Sequence, residues 1–141
     1  MLLTLIPLLA VLGYSAFQDF RHGEVPNKVW LYAPVGLLFT LVELAFNPLY
    51  ARVALVVMVL GVMIPFLLFY AFPQWFGGAD AKALITIALS APLTPSLVNA
   101  YPFLTLVFAA FLATAYGLVF RRRSVKFLPF VFVGALISVF F

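Results

Sequence analysis

VALVVMVLGVMIPFLLFYAF, residues 53–72, runs for 20 residues without a charged side chain. An apolar helix needs roughly 20 residues to cross the hydrocarbon of a bilayer, so this stretch has the length and composition of a span. On either side of it, charges and Pro/Gly breaks delimit further apolar runs at about 1–17, 28–46, 81–98, 101–120 and 126–141. The run at 81–98 carries Pro92 and Pro95 and is the least regular of the six. Apolar runs repeated along the whole chain are not accounted for by one cleaved N-terminal leader.

Composition agrees with this reading. Of 141 residues, 67% are hydrophobic and 9% charged, with a mean hydropathy of +1.22, which leaves too little polar surface to wrap a water-soluble core. A backbone in lipid must satisfy its own hydrogen bonds, and no alternating barrel pattern is visible. The expected fold is therefore all-α, a polytopic membrane bundle of about six transmembrane helices forming a single domain over 1–141. The chain has no cysteine, which excludes disulfides, thiolate catalysis and Cys-type zinc sites.

Basic residues collect on the cytoplasmic side of short loops. With six spans and both termini outside, Arg21, Lys28, Lys82, Arg121, Arg122, Arg123 and Lys126 fall inside and only Arg52 falls outside. The net charge of +4 then reads as a topology signal and an attraction to anionic lipid, not as a nucleic-acid surface. Tyr32, Tyr70, Trp75 and Tyr101 lie near span ends, where aromatic belts sit.

The chain has four acids, Asp19, Glu24, Glu43 and Asp80. An ionised carboxylate at bilayer depth costs about 3 kcal/mol even on insertion scales, so each needs a partner, water or a function. Glu43 near an outer span end and Glu24 in the first inner loop read as ordinary solvated acids. Asp19 closes the first span and Asp80 opens the fourth, so the topology brings both to the inner face although they stand 61 positions apart.

Two carboxylates facing one water suffice for general acid–base hydrolysis of a peptide bond. The ionised one takes a proton from water and the protonated one donates to the carbonyl or leaving amine. No metal or other cofactor enters this scheme. Zinc or triad chemistry would rest on His22, a lone histidine in a basic loop that reads as solvated. Lys82 and the start of the fourth span are expected to favour the charged form of Asp80, leaving Asp19 to hold the proton. Gly77 and Gly78 would allow backbone angles closed to other residues, and Asp80 is equally readable as a helix cap after a glycine turn.

The stretch Gly77-Gly78-Ala79-Asp80-Ala81-Lys82 resembles the GxGD-type motif of membrane aspartyl peptidases. Asp19-Phe20-Arg21-His22-Gly23-Glu24-Val25-Pro26-Asn27 resembles the Asp…Pro-Asn pattern that follows the first span in the type IV prepilin peptidases and archaeal preflagellin peptidases. The resemblance implies Asp19 and Asp80 as the catalytic pair. Gly77, Gly78, Ala79, Lys82, Pro26 and Asn27 are then motif positions. Ala79 stands where many bacterial members have a second glycine. The bifunctional bacterial enzymes also carry a cysteine-bearing insertion and an N-methyltransferase activity, whereas Asp19 here lies eight residues from Asn27 with no cysteine in the chain.

The implied activity is cleavage of a short basic leader from prepilin-like or preflagellin precursors at the cytoplasmic face, without methyl transfer. The precursor's apolar helix would dock laterally among the spans against small residues such as Ala83, Ala88 and Gly117. Glu24 is either a reader of the leader's charge or a solvated loop acid. The rival readings are a small proton- or cation-coupled transporter and a catalytically silent assembly partner. Oligomeric state is not legible in the sequence.

Overall fold

The computed structural model describes residues 2–74, 76–93, 100–121 and 126–140. Trp75, Pro95, Arg122 and Arg123, each used in the sequence reading, lie outside the described residues. The fold is all-α. Its helices are α1 (Leu2–His22), a short 3-10 helix (Asn27–Leu31), α2 (Tyr32–Phe46), α3 (Pro48–Ala71), α4 (Gly78–Ser90), α5 (Tyr101–Val119) and α6 (Leu128–Ser138). Pro48, Pro102 and Pro129 stand in the first turns of α3, α5 and α6, where the missing N–H costs no helical bond.

Among the described residues, three segments are long and apolar enough to cross a membrane: Asn27–Phe46, Pro48–Ala71 and Tyr101–Val119. Their outward faces are apolar, α3 exposing Val53, Val56, Val59, Leu60, Met63 and Phe66. Buried hydroxyls turn inward and bond to carbonyls one turn back, Ser15 to Val11, Thr86 to Lys82 and Ser138 to Gly134. This apolar exterior around a partly polar interior fits lipid as the solvent.

The fourth expected span is shorter than its apolar run. α4 has 13 residues, about 20 Å at 1.5 Å per residue, against a hydrocarbon core of about 30 Å. Pro92 ends it, because the residue before a proline is pushed out of the α region, and Ala91 has φ −149° and ψ 73°. Thr40 Oγ1 donates to the terminal Ser90 carbonyl at 2.8 Å. The sixth run, expected over 126–141, gives a helix of 11 residues.

α4 is the central element, in contact with all five other α-helices. Asp80, Ala81, Ala83, Leu84, Thr86, Ile87, Ala88 and Ser90 are all buried, so the helix is enclosed over most of its surface, with Lys82 exposed and Ile85 and Leu89 half-buried on the remaining face. Small residues permit that enclosure. A Cβ on Gly61 of α3 would stand 2.6 Å from Ala88 Cβ, and one on Gly36 of α2 would stand 1.9 Å from Ser90 Oγ. Ala83 and Ala88 are thus consumed by packing within the chain and are not a lateral docking stripe. Leu5, Leu8, Leu12, Trp30, Leu84, Ile87, Tyr101, Leu128 and Val131 form the main core around α4. Leu44, Ala54, Val57, Met58 and Leu93 form a second cluster at the end of α2 and the start of α3.

The tyrosines correct the belt reading in part. Tyr70 is exposed, but Tyr101 is fully buried and its hydroxyl donates to the Ala135 carbonyl at 2.7 Å. Tyr32 donates to the Thr4 carbonyl at 2.9 Å, joining α2 to α1. A buried ring whose hydroxyl has a partner is a core group.

Candidate active site

Asp19 lies in the last turn of α1 and is half-buried. Its carbonyl accepts the Gly23 N–H at 2.9 Å and a bond from Lys126 Nζ, which also reaches the Phe20 carbonyl at 3.5 Å. Gly23 has φ +75°, the left-handed conformation that ends helices at low cost only in glycine. The loop then passes through exposed Glu24 and half-buried Val25 to Pro26, whose φ of −58° and ψ of 131° lead into the 3-10 helix starting at Asn27.

Asp80 is the third residue of α4 and 9% exposed. Its Oδ2 accepts the Gly77 N–H at 3.0 Å, the half of a capping box that a glycine before the helix allows. The helix-cap reading is therefore correct as local chemistry. Gly77 has an ordinary extended backbone, φ −75° and ψ 160°, and Gly78 is already helical, so neither uses special angles as expected from the sequence. The constraint on Gly77 is spatial: a Cβ there would stand 3.1 Å from Asp80 Oδ2. Ala79 is half-buried against the main core.

Asp80 lies outside the three membrane-crossing segments. Burial pushes its carboxyl up from 3.8 to about 6, the Gly77 N–H opposes this, and the charge of Asp19 adds to the rise. This reverses the expected assignment of the proton within the pair. Lys82, expected to stabilise the Asp80 carboxylate, is exposed and donates instead to Asn27 Oδ1 at 2.7 Å. Burial outweighs the helix N-terminus and favours the protonated form of Asp80.

The structure thus bonds Gly77 to Asp80 and Asn27 to Lys82, and the charge of Asp19 reaches Asp80, while Ala79 sits in the first turn of α4 and Pro26 precedes the 3-10 helix. Glu24 faces solvent and touches none of them in a recorded bond. Among the described residues, no three His, Cys, Asp or Glu side chains gather where they could hold a metal ion. Lys126 was visible in the sequence only as one more inner positive charge; its bond to Asp19 spans 107 positions and leaves no local signal. Phe127 beside it stacks on Phe76, ring centroids 6.0 Å apart and planes at 57°. These two rings, with Leu68, Phe72 and Gln74, line an open groove next to Gly77.

A buried carboxyl raised by its surroundings, within the field of a second carboxylate, thus sits at one end of an all-α membrane bundle. Residues 6–118 match the type IV leader peptidase family, and the chain belongs to that family of membrane proteases. No curated protein and no solved structure matches it.

Proposed function

We propose that the chain is an aspartic endopeptidase that removes the short basic leader from prepilin-like or preflagellin precursors at the cytoplasmic membrane face. The observation that carries this reading is the buried Asp80 carboxyl, raised to about 6 and sensing Asp19, at the point where Lys82 and Asn27 tie the two motifs together. Asp80 in its protonated form donates to the scissile carbonyl and recovers that proton as the tetrahedral intermediate collapses, while the proton Asp19 has taken from water passes to the leaving amine as the C–N bond breaks. Asp19, half-buried and nearer solvent, is the base that takes a proton from the attacking water.

The topology follows from the charges: Arg21, Lys28, Lys82, Arg121 and Lys126 belong to the end that carries the two aspartates, and that end is assigned to the cytoplasm. A multi-pass protein with its site at the inner interface meets a leader in water and an apolar helix in lipid at one place. The absence of cysteine and the eight-residue step from Asp19 to Asn27 support cleavage without methyl transfer. Membership of a protease family weighs against the transporter reading.

The test is to incubate the purified chain in liposomes with a prepilin-like and a preflagellin precursor and to weigh the products. The expected result is a product shortened by the leader, with a free unmethylated N-terminus. Intact precursors after prolonged incubation with well-folded protein would remove the assignment.

A further inference from the structure

The two aspartates are joined by a path that reaches the start of α4 from the stretch leading into α6. The Asp19 carbonyl accepts from Lys126 Nζ, Lys126 is followed by Phe127, and the Phe127 ring lies on Phe76. Phe76 is followed by Gly77, and the Gly77 N–H holds Asp80 Oδ2 at 3.0 Å. Two residues after Lys126, Leu128 opens α6, is 1% exposed and belongs to the main core, so the chain beside Lys126 is anchored.

We propose that Lys126 is a positioning residue that fixes the last turn of α1, and with it Asp19, at a set distance from the start of α4. This inference rests on the reading of Asp19 and Asp80 as the acid–base pair. The side chain is suited to the task because one ammonium bridges two successive carbonyls, Asp19 at its primary bond and Phe20 at 3.5 Å. An α-helix leaves its last carbonyls without intrahelical partners, and a cation there meets both their lone pairs and the negative end of the helix. Gly23 leaves the approach open, since even a Cβ at that position would stand 3.7 Å from Lys126 Nζ. Together with the Lys82–Asn27 bond, this pins the segment from Asp19 to Asn27 at both ends, by one lysine from α4 and one from the stretch leading into α6.

A generic helix cap would lend stability alone, whereas a positioning residue changes turnover and the spread of distances across the site. The cysteine-free chain allows both to be read. Spin labels placed through Arg21→Cys and Gln74→Cys, both exposed positions, report the α1 end against the turn before α4. Lys126→Met is expected to broaden that distance distribution and to lower kcat at least tenfold with KM within twofold, and Lys126→Arg to restore most of both. An unchanged distribution and unchanged kcat in Lys126→Met would overturn the inference, as would a loss that Lys126→Arg does not relieve in protein shown to be folded. Should the wild type cleave no precursor, the peptidase reading falls on that result, while the label distances still decide whether Lys126 holds α1 to α4.

Discussion

Lys82 Nζ and Asn27 Oδ1 lie 2.7 Å apart, so the two sequence motifs, separated by 55 positions, meet in one hydrogen bond. The bond reaches from the first turns of the central helix to the first residue of the 3-10 helix. Because both groups are exposed, solvent competes for the bond and its energy is small. Asn27→Ala and Lys82→Met should each slow cleavage, and the double variant should be little worse than either. A double-mutant cycle on kcat is expected to give a coupling of about 1 kcal/mol, roughly fivefold. Fully additive effects would show that the bond does not unite the motifs.

Asp19→Asn and Asp80→Asn should each reduce cleavage by about 10²-fold or more, the usual contribution of a general acid or base. Both amides keep the shape of the carboxyl, and Asn at 80 can still accept the Gly77 N–H. Helicity and detergent melting should therefore be retained. Substantial turnover by either purified variant would remove the acid–base pair.

The pH dependence has a definite sign. Asp80 is raised from 3.8 to about 6, so the folded chain holds this proton more tightly than the unfolded chain does. The stability it contributes is present below about pH 4 and is lost as pH rises through about 6, by ~2–3 kcal/mol at most. Asp80→Asn should flatten that decline in chemical unfolding carried out at several pH values. For cleavage, kcat/KM should fall on the alkaline side with an apparent midpoint near 6, because the acid must carry its proton. A rate flat from pH 5 to pH 8 would contradict the assignment.

Gly61→Ala is expected to destabilise the fold by about 1–3 kcal/mol, since the new methyl would stand 2.6 Å from Ala88 Cβ at the buried contact of α3 with α4. Gly78→Ala is the control. Its Cβ would meet only Phe69 at 3.7 Å, and alanine favours the helix that starts there, so its unfolding midpoint should match or exceed that of the wild type.

A reporter fused after Arg123 should be cytoplasmic, and one inserted at Asn47, between α2 and α3, should be external. Reversed labelling would put both aspartates on the wrong side for a cytoplasmic leader.

The sequence carried the helices well, because hydropathy and charge are local properties and lipid amplifies them. The runs at 28–46, 53–72 and 101–120 correspond to the three segments able to cross a membrane. The run at 81–98 overstated its helix because apolar residues continue past Pro92 while the helix cannot. The motifs pointed to Asp19, Asp80, Asn27 and Lys82, and the structure brings these four to one end of the bundle. Their relations were not legible. Which carboxyl keeps the proton depends on burial, and burial depends on which helix the others surround. Tyr101 reads as interfacial from its neighbours in the chain, yet its hydroxyl is used by Ala135 on another helix. Gly77 was credited with unusual dihedrals, when its actual restriction is the carboxylate beside it. Lys126 could not be found by pattern, since nothing near it in the chain records a bond 107 positions away.

The enclosure of α4 implies an uneven map of tolerated substitutions. Along Gly78–Ser90 the buried side chains are shared among five neighbouring helices, so enlarging one presses on a partner and shrinking one leaves a hole, with exposed Lys82 the exception. Along α3 the outer positions meet lipid, and any apolar residue serves. Sequence drift in this protein is thereby channelled to its perimeter, and a substitution library would recover α4 nearly unaltered around an interchangeable greasy coat.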